Sequence, residues 1–118
     1  MAFDAGSLEA FDVVVVPFPF TDSVKARRRP ALVLSNAAAL GDRIGHSVMA
    51  MITSAANAPW PLDVPVSDLN AAGLPSASVV RMKLFTLDHR LVIRKAGVLG
   101  DRDRAAVTRA VRALLPAR

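Results

Sequence analysis

Arg27, Arg28 and Arg29 run directly into Pro30 and the aliphatic stretch ALVLSN. A guanidinium is planar, keeps its charge and offers paired donors that match two phosphate oxygens. A basic loop anchored to a rigid strand is therefore suited to gripping phosphate. A phosphodiester attacked by a neighbouring 2′-hydroxyl gains negative charge on the way to the transition state. A preorganised arginine beside it stabilises that state more than the ground state. RNA carries this nucleophile itself, so neither a metal nor a nucleophilic side chain is required, and DNA lacks the hydroxyl. The competing reading is that the three arginines only solvate a loop.

The rest of the composition narrows the chemistry by exclusion. The chain has no cysteine, which removes disulfides, thiol nucleophiles and Cys-based metal sites and makes a reducing cytoplasm the expected setting. Its two histidines, His46 and His89, are far apart and form no metal-binding pattern, so no metal is expected. No glycine-rich phosphate loop and no GxSxG elbow occurs, and the carboxylates are scattered singly. An enzyme built from this chain would use Arg, Thr, Ser, His or Asp, without a cofactor. The net charge of +5 and pI near 11.1 favour a polyanionic partner. Arginines that solvate one face of a helix would give the same number.

The elements that must position these residues can be read in outline. With 118 residues, 53% of them hydrophobic, and a mean hydropathy of +0.36, one domain with an ample core is expected. No apolar run is long enough to cross a bilayer, and no secretory signal is evident. Residues 1–10 read as a loose tail and 11–116 as a single domain. DVVVVPFPF is a strand that must become an edge or bulge near Pro17 and Pro19, which cannot donate ladder bonds. PALVLSN opens a second strand at Pro30. NAAALGDRIG fits a helical turn capped by Ser35 or Asn36 and ended by Gly41. HSVMAMITS is a third strand, and Leu62 to Val66 a short fourth. SDLNAAG is a brief helix with Ser67 or Asp68 as cap and Gly73 as terminator. SASVVRMKLFTL reads as one strand or two, and RLVIRKAGVL as another. At the end, Asp101 caps a helix with Val107, Ala110, Val111 and Leu114 on one face and Arg102, Arg109 and Arg112 on the other. Many short strands, small helical insertions and one terminal helix point to a mainly antiparallel sheet or small barrel.

In order along the chain, DVVVVPFPFTD, RRPALVLSN, MITS, DVPV, GLPSASVVRMKLFTLD and the terminal amphipathic helix resemble the MazF/PemK (Kid) toxins. The resemblance covers nearly everything from Phe11 onward. It implies a mainly β fold with small helices, an SH3-like, strongly twisted antiparallel sheet or partial barrel of the MazF/Kid/CcdB type. It also implies a homodimer, a type II toxin–antitoxin setting with a cognate antitoxin as partner, and contact with DNA only through the toxin–antitoxin complex. The implied activity is metal-independent, sequence-specific cleavage of single-stranded RNA, leaving a 2′,3′-cyclic phosphate or 3′-phosphate and a 5′-hydroxyl. The family's arginine before the strand-opening proline falls on Arg29, and its threonine at the end of the third strand falls on Thr53. These two would flank the scissile phosphate. Many members begin the first strand with Gly-Asp, where this chain has Phe11-Asp12. Asp12 then reads as a structural acceptor, and Asp22 takes no catalytic role.

The remaining candidates carry two readings each. Lys25, Arg27 and Arg28 would contact RNA backbone or simply solvate the loop. Ser54 should point away from Thr53 by strand alternation, yet is kept as an RNA contact in case the strand ends there. His46 is a candidate for proton transfer, against a surface or packing role. Arg81 and Lys83 would line an RNA groove or a dimer interface, and Leu84 and Phe85 should be core. Trp60, between Pro59 and Pro61, would stack on a base or pin its loop to the core. The loops at 21–28 and 54–61 are the candidates for sequence specificity. Besides a generic basic β-barrel that binds RNA without cutting it, two rival readings act by binding alone. One is a catalytically degenerate member of the fold, left open by Phe11. The other is a CcdB-like topoisomerase-binding toxin, disfavoured by the ending LLPAR, which lacks the aromatic tail such binding uses.

Overall fold

The computed structural model describes residues 8–19 and 27–116. Six strands make one antiparallel sheet: β1 (Asp12–Phe18), β2 (Arg27–Val33), β3 (His46–Ser54), β4 (Val64–Pro65), β5 (Ser78–Asp88) and β6 (Arg94–Val98). Their order is β4-β5-β3-β2-β1-β6, and the sheet curls into a half-barrel. A π-helical turn (Ala37–Gly41) leads into α1 (Asp42–Ile44); α2 (Leu69–Ala72), a 3-10 turn (His89–Leu91) where the strand expected over RLVIRKAGVL has not yet begun, and α3 (Asp101–Leu114) complete the described fold. This is the expected mainly β architecture with small helices and a terminal helix.

Side-chain alternation divides the sheet into two faces. Val13, Leu32, Ala50, Ile52 and Val80 point to one face, where Ala72 of α2 and Val107 and Ala110 of α3 cover them. Val14, Val16, Ala31, Val33, Met49 and Leu87 point to the other, where they pack with Leu8 and Val92. Burial on both sides explains the apolar character of Val13, Val14 and Val16 in β1, while Val15 is half-buried. Leu8 is only 1% exposed. The expected loose tail of residues 1–10 therefore gives way to packed chain by Leu8, and the remainder of that tail lies outside the described residues.

The prolines of β1 behave as their chemistry requires. Pairing with β6 stops at Val15↔Arg94, while pairing with β2 continues through Phe18↔Arg27. Pro17 thus sits where β1 has a neighbour on one side only, and a register shift between Val13 and Val14 adds the bulge.

Several local expectations are corrected. The helical turn after β2 passes through Gly41 and ends at Gly45, whose φ of 67° is the left-handed conformation that suits glycine. Neither Ser35 nor Asn36 caps it by its side chain; the Ser35 hydroxyl accepts from Val48 N–H instead. Gly100, not Asp101, is the N-cap of α3. Leu84 is 37% exposed rather than core, because β4 pairs only with Val79 and Val80 and leaves β5 an edge beyond them. Leu114 is likewise exposed at the end of α3. SASVVRMKLFTL is one strand, β5, with a register shift against β3 between Ala50 and Met51.

One buried anchor went unread in the sequence. Asp103 accepts from Ser67 N–H, Ser67 Oγ (2.7 Å) and Asp68 N–H, tying α3 to the start of α2. Burial pushes its carboxyl upward, but the Ser67 hydroxyl and the two N–H donors outweigh that and hold it below its ordinary range. Asp68 caps α2 by accepting from Ala71 N–H, and Gly73 terminates it with φ of 70°.

Candidate active site

Arg29 and Thr53 are brought together by a ladder that stops. Pairing of β2 with β3 runs Val33↔Met49, Leu32↔Ala50, Ala31↔Met51 and goes no further. The next residue of β2 is Pro30, which has no N–H to extend it. Continuing the same register by two residues sets Arg29 opposite Thr53. Both lie on the face of the second core, in line with Ala31 and Met51, beyond the point where apolar packing ends.

A cavity of about 190 Å³ opens there, and Arg29 and Thr53 line it together with Phe18, Met51 and Asn57. Trp60, Arg81 and Lys83 complete its rim. Asn57 Nδ2 donates to Thr53 Oγ1 at 2.7 Å, which orients the hydroxyl. Asn57 is itself held by its N–H, which donates to Ser54 O. Lys83 stands 5.4 Å over the Phe18 ring. The register shift in β5 leaves Met82 and Lys83 without β3 partners, and so lets Lys83 reach the cavity while Arg81 pairs with Met51. The polar lining thus brings two donors, a hydroxyl and a guanidinium, to one solvent-open hollow.

Arg81 does border the cavity, as the sequence suggested, but its Nε and Nη2 donors are committed elsewhere. Nε and Nη2 both donate to Asp63, and Nη2 also donates to Ala58 O at 2.9 Å. The Arg81 hydrogen bonds hold the Asp63 carboxyl below its ordinary range, against the upward push of burial, and Trp60 N–H adds to the effect. The guanidinium lies 4.9 Å over the Trp60 ring. Arg81 therefore clamps the 55–63 loop as well as facing the hollow.

Other candidates separate. His46 begins β3, seven residues from Thr53, which at the strand rise is about 23 Å away. Its Nδ1 lies 3.0 Å from Ile44 O and its Nε2 4.0 Å from Asp88. The strand that carries Thr53 thus carries His46 away from it, and a proton-transfer role at this cavity is corrected. Arg28 lines a second hollow with Arg94, Gly73 and Pro75, which Arg29 also borders. Arg27 is exposed opposite Phe18. Ser54 points away from the cavity into a third hollow, which also touches Arg29 and Thr53 and includes Ser76 and Ser78. Lys25 and Asp22 lie outside the described residues.

The Phe11-Asp12 departure is explained away from the cavity. Phe11 has φ of 73°, a left-handed conformation in which a glycine would sit without strain. Its ring packs against the helix-covered core, with the Arg104 guanidinium 5.4 Å over it. Asp12 is 2% exposed, pairs with Lys95 at 3.1 Å and accepts from Glu9 N–H. Both are structural.

Comparison with known proteins agrees with this architecture. The model of the family described as PemK-like, MazF-like toxin of type II toxin-antitoxin system matches residues 9–115. Among solved structures, MazE-MazF (Form-II) from Deinococcus radiodurans aligns with a TM-score of 0.69 and 26% identity, covering 94% of this chain and 97% of that one. An endoribonuclease in complex with its cognate antitoxin from Mycobacterial species aligns with a TM-score of 0.70 and 15% identity, covering 98% and 100%. Mycobacterium tuberculosis toxin MazF-mt6 aligns with a TM-score of 0.67 and 22% identity, covering 85% and 91%. No curated protein matches significantly by sequence. With nearly its whole length matched by the family model and its strands in the same curled sheet, this chain belongs to the PemK-like, MazF-like toxins of type II toxin–antitoxin systems.

Proposed function

We propose that this toxin is a metal-independent endoribonuclease that cuts single-stranded RNA by attack of the 2′-hydroxyl on the adjacent phosphate. The observation that carries this reading is the meeting of Arg29 and Thr53 at one cavity on the open face of the sheet. The bond from the 2′-oxygen to phosphorus forms as the bond to the 5′-oxygen breaks. The products are a 2′,3′-cyclic phosphate, or the 3′-phosphate after hydrolysis, and a 5′-hydroxyl. Arg29 supplies fixed positive charge to the phosphorane. Thr53, oriented by Asn57, hydrogen-bonds a phosphate oxygen or the leaving group. Arginine holds its proton at neutral pH, so its role is electrostatic. The neighbouring basic residues Lys25, Arg27 and Arg28 would neutralise other phosphates of the strand.

The setting follows the family. The solved Deinococcus radiodurans and mycobacterial relatives were captured with MazE and with a cognate antitoxin respectively. This toxin would likewise act in the cytoplasm as a homodimer and be held inactive by its own antitoxin. Among the described residues no helix is long and apolar enough to cross a membrane. Phe11, which left the catalytically degenerate reading open, lines no part of the cavity and gives that reading no support.

The test is incubation of purified protein with a long, structure-poor RNA in EDTA, wild type beside Arg29→Ala, followed by mapping of 5′ ends. Cuts at one short motif, lost in the variant, are expected. Cleavage that requires added metal would overturn the mechanism. RNA binding without cleavage would move the protein to the binding-only class.

A further inference from the structure

Trp60 is the only tryptophan of the chain, and it is 44% exposed at the rim of the cavity that holds Arg29 and Thr53. An indole that merely pinned its loop would be turned inward. This one is held from below and left open. Asp63 accepts from Trp60 N–H at 2.9 Å, and Asp63 N–H donates back to Trp60 O. Arg81, nearly buried, takes the same carboxylate with two donors, braces Ala58 O and covers the indole at 4.9 Å. Pro59 and Pro61 restrict the backbone on either side. Leu62 adopts φ of 67°, a conformation that a leucine keeps only when its surroundings impose it.

We infer that Trp60 is an RNA-binding residue of this site: a preset platform on which one unstacked RNA base lies beside the phosphate held by Arg29, with Asp63 and Arg81 as its positioning residues. The inference rests on the proposed RNA-cleaving role and adds the nucleotide contact. Bases of single strands are bound by stacking on aromatic rings. With Arg81 on one face, the other face of the indole is the one left for a base. A ring fixed before RNA arrives loses little freedom on binding. Its position at the cavity rim couples which base is held to which phosphate is presented. Asn57, three residues earlier in the same loop, ties this platform to the Thr53 hydroxyl.

Trp60 reports on itself. A mixed-sequence single-stranded oligonucleotide with 2′-O-methyl riboses throughout binds without being cut, and its abasic counterpart supplies the same phosphates without bases. Binding is followed by anisotropy of a labelled oligonucleotide and stacking by Trp60 fluorescence. The expected result is saturable quenching by the oligonucleotide, with the same midpoint as binding, and none by the abasic strand. Trp60→Leu should weaken oligonucleotide binding roughly 5- to 150-fold, the range of one base–aromatic stack, and Trp60→Phe should recover most of it. Asp63→Asn should raise acrylamide access to Trp60 in the free protein and relax the cut-site preference. Tight binding with no quenching, or wild-type affinity in Trp60→Leu, overturns the platform and leaves the RNA-cleaving role intact. No binding of the oligonucleotide by the wild type, together with no cleavage of RNA, overturns both.

Discussion

The two faces of the sheet begin from the same strands and end differently. On one, Leu32, Ile52 and Val80 meet Val107 and Ala110 of α3, and the face is closed. On the other, Val16, Ala31 and Met49 form a second core that covers only part of the strands. Beyond it the same alternation continues into Arg29 and Thr53, which line an open hollow with Phe18, Met51 and Asn57. A helix packed on one side supplies the rigidity, and the open end of the other side, among the described residues, holds the candidate site. This division predicts that damage to the closed face reads out as stability, and damage to the open end as activity.

Four experiments sharpen or break that contrast, from the largest effect to the smallest. Leu32→Ala, at the centre of the closed face, should cost about 2–5 kcal/mol in urea unfolding, with activity falling only as the folded fraction falls. Arg29→Ala should lower the cleavage rate by about 10²–10³-fold, as loss of a donor to a developing charge does, while the thermal midpoint and circular dichroism hold. If Arg29→Ala unfolds the protein, the open end is structural and the division fails. Asp103→Ala leaves Ser67 and Asp68 donors unpaired beneath α3 and should cost about 1–3 kcal/mol of stability, with cut sites unchanged. Asn57→Ala should slow cleavage by about 2- to 10-fold, the worth of one hydrogen bond, with little change in stability.

The Asp63–Arg81 clamp adds a weaker pH dependence. The folded carboxyl lies below its ordinary value of 3.8. Its contribution is therefore fully present above that value and is lost as pH falls through the lowered one. Trp60 emission should hold steady from neutrality down to the ordinary carboxylate range and shift only in stronger acid. A shift between pH 5 and 7 would show that another group holds the loop.

Much of this was legible before folding. The valine run of β1 announced a strand, Pro17 announced its one-sided end, and Gly73 and Asp68 bounded α2. Arg29 stood out because a charged residue preceded a proline and an aliphatic strand. Arg81 was harder: its spacing along β5 fits a groove residue, and nothing local says that Asp63, 18 residues earlier, will take its donors. Asn57 gave no signal, since an asparagine in a polar loop is ordinary until its amide is found on Thr53. His46 misled for the converse reason. A histidine is chemically apt wherever it occurs, and only the length of β3 removes it from the cavity.

Legible in the residues themselves are most of the elements, the alternation that sorts each strand's side chains onto two faces, and the residue types able to hold a phosphate, because these depend on local backbone preference and on side-chain chemistry. The parting of β2 and β3 at Pro30, the placing of Arg29 opposite Thr53 in the continued register, and the double duty of Arg81 to a loop and a surface emerge only on folding. Those outcomes depend on register and on contacts between residues distant along the chain, and no window of sequence contains both partners.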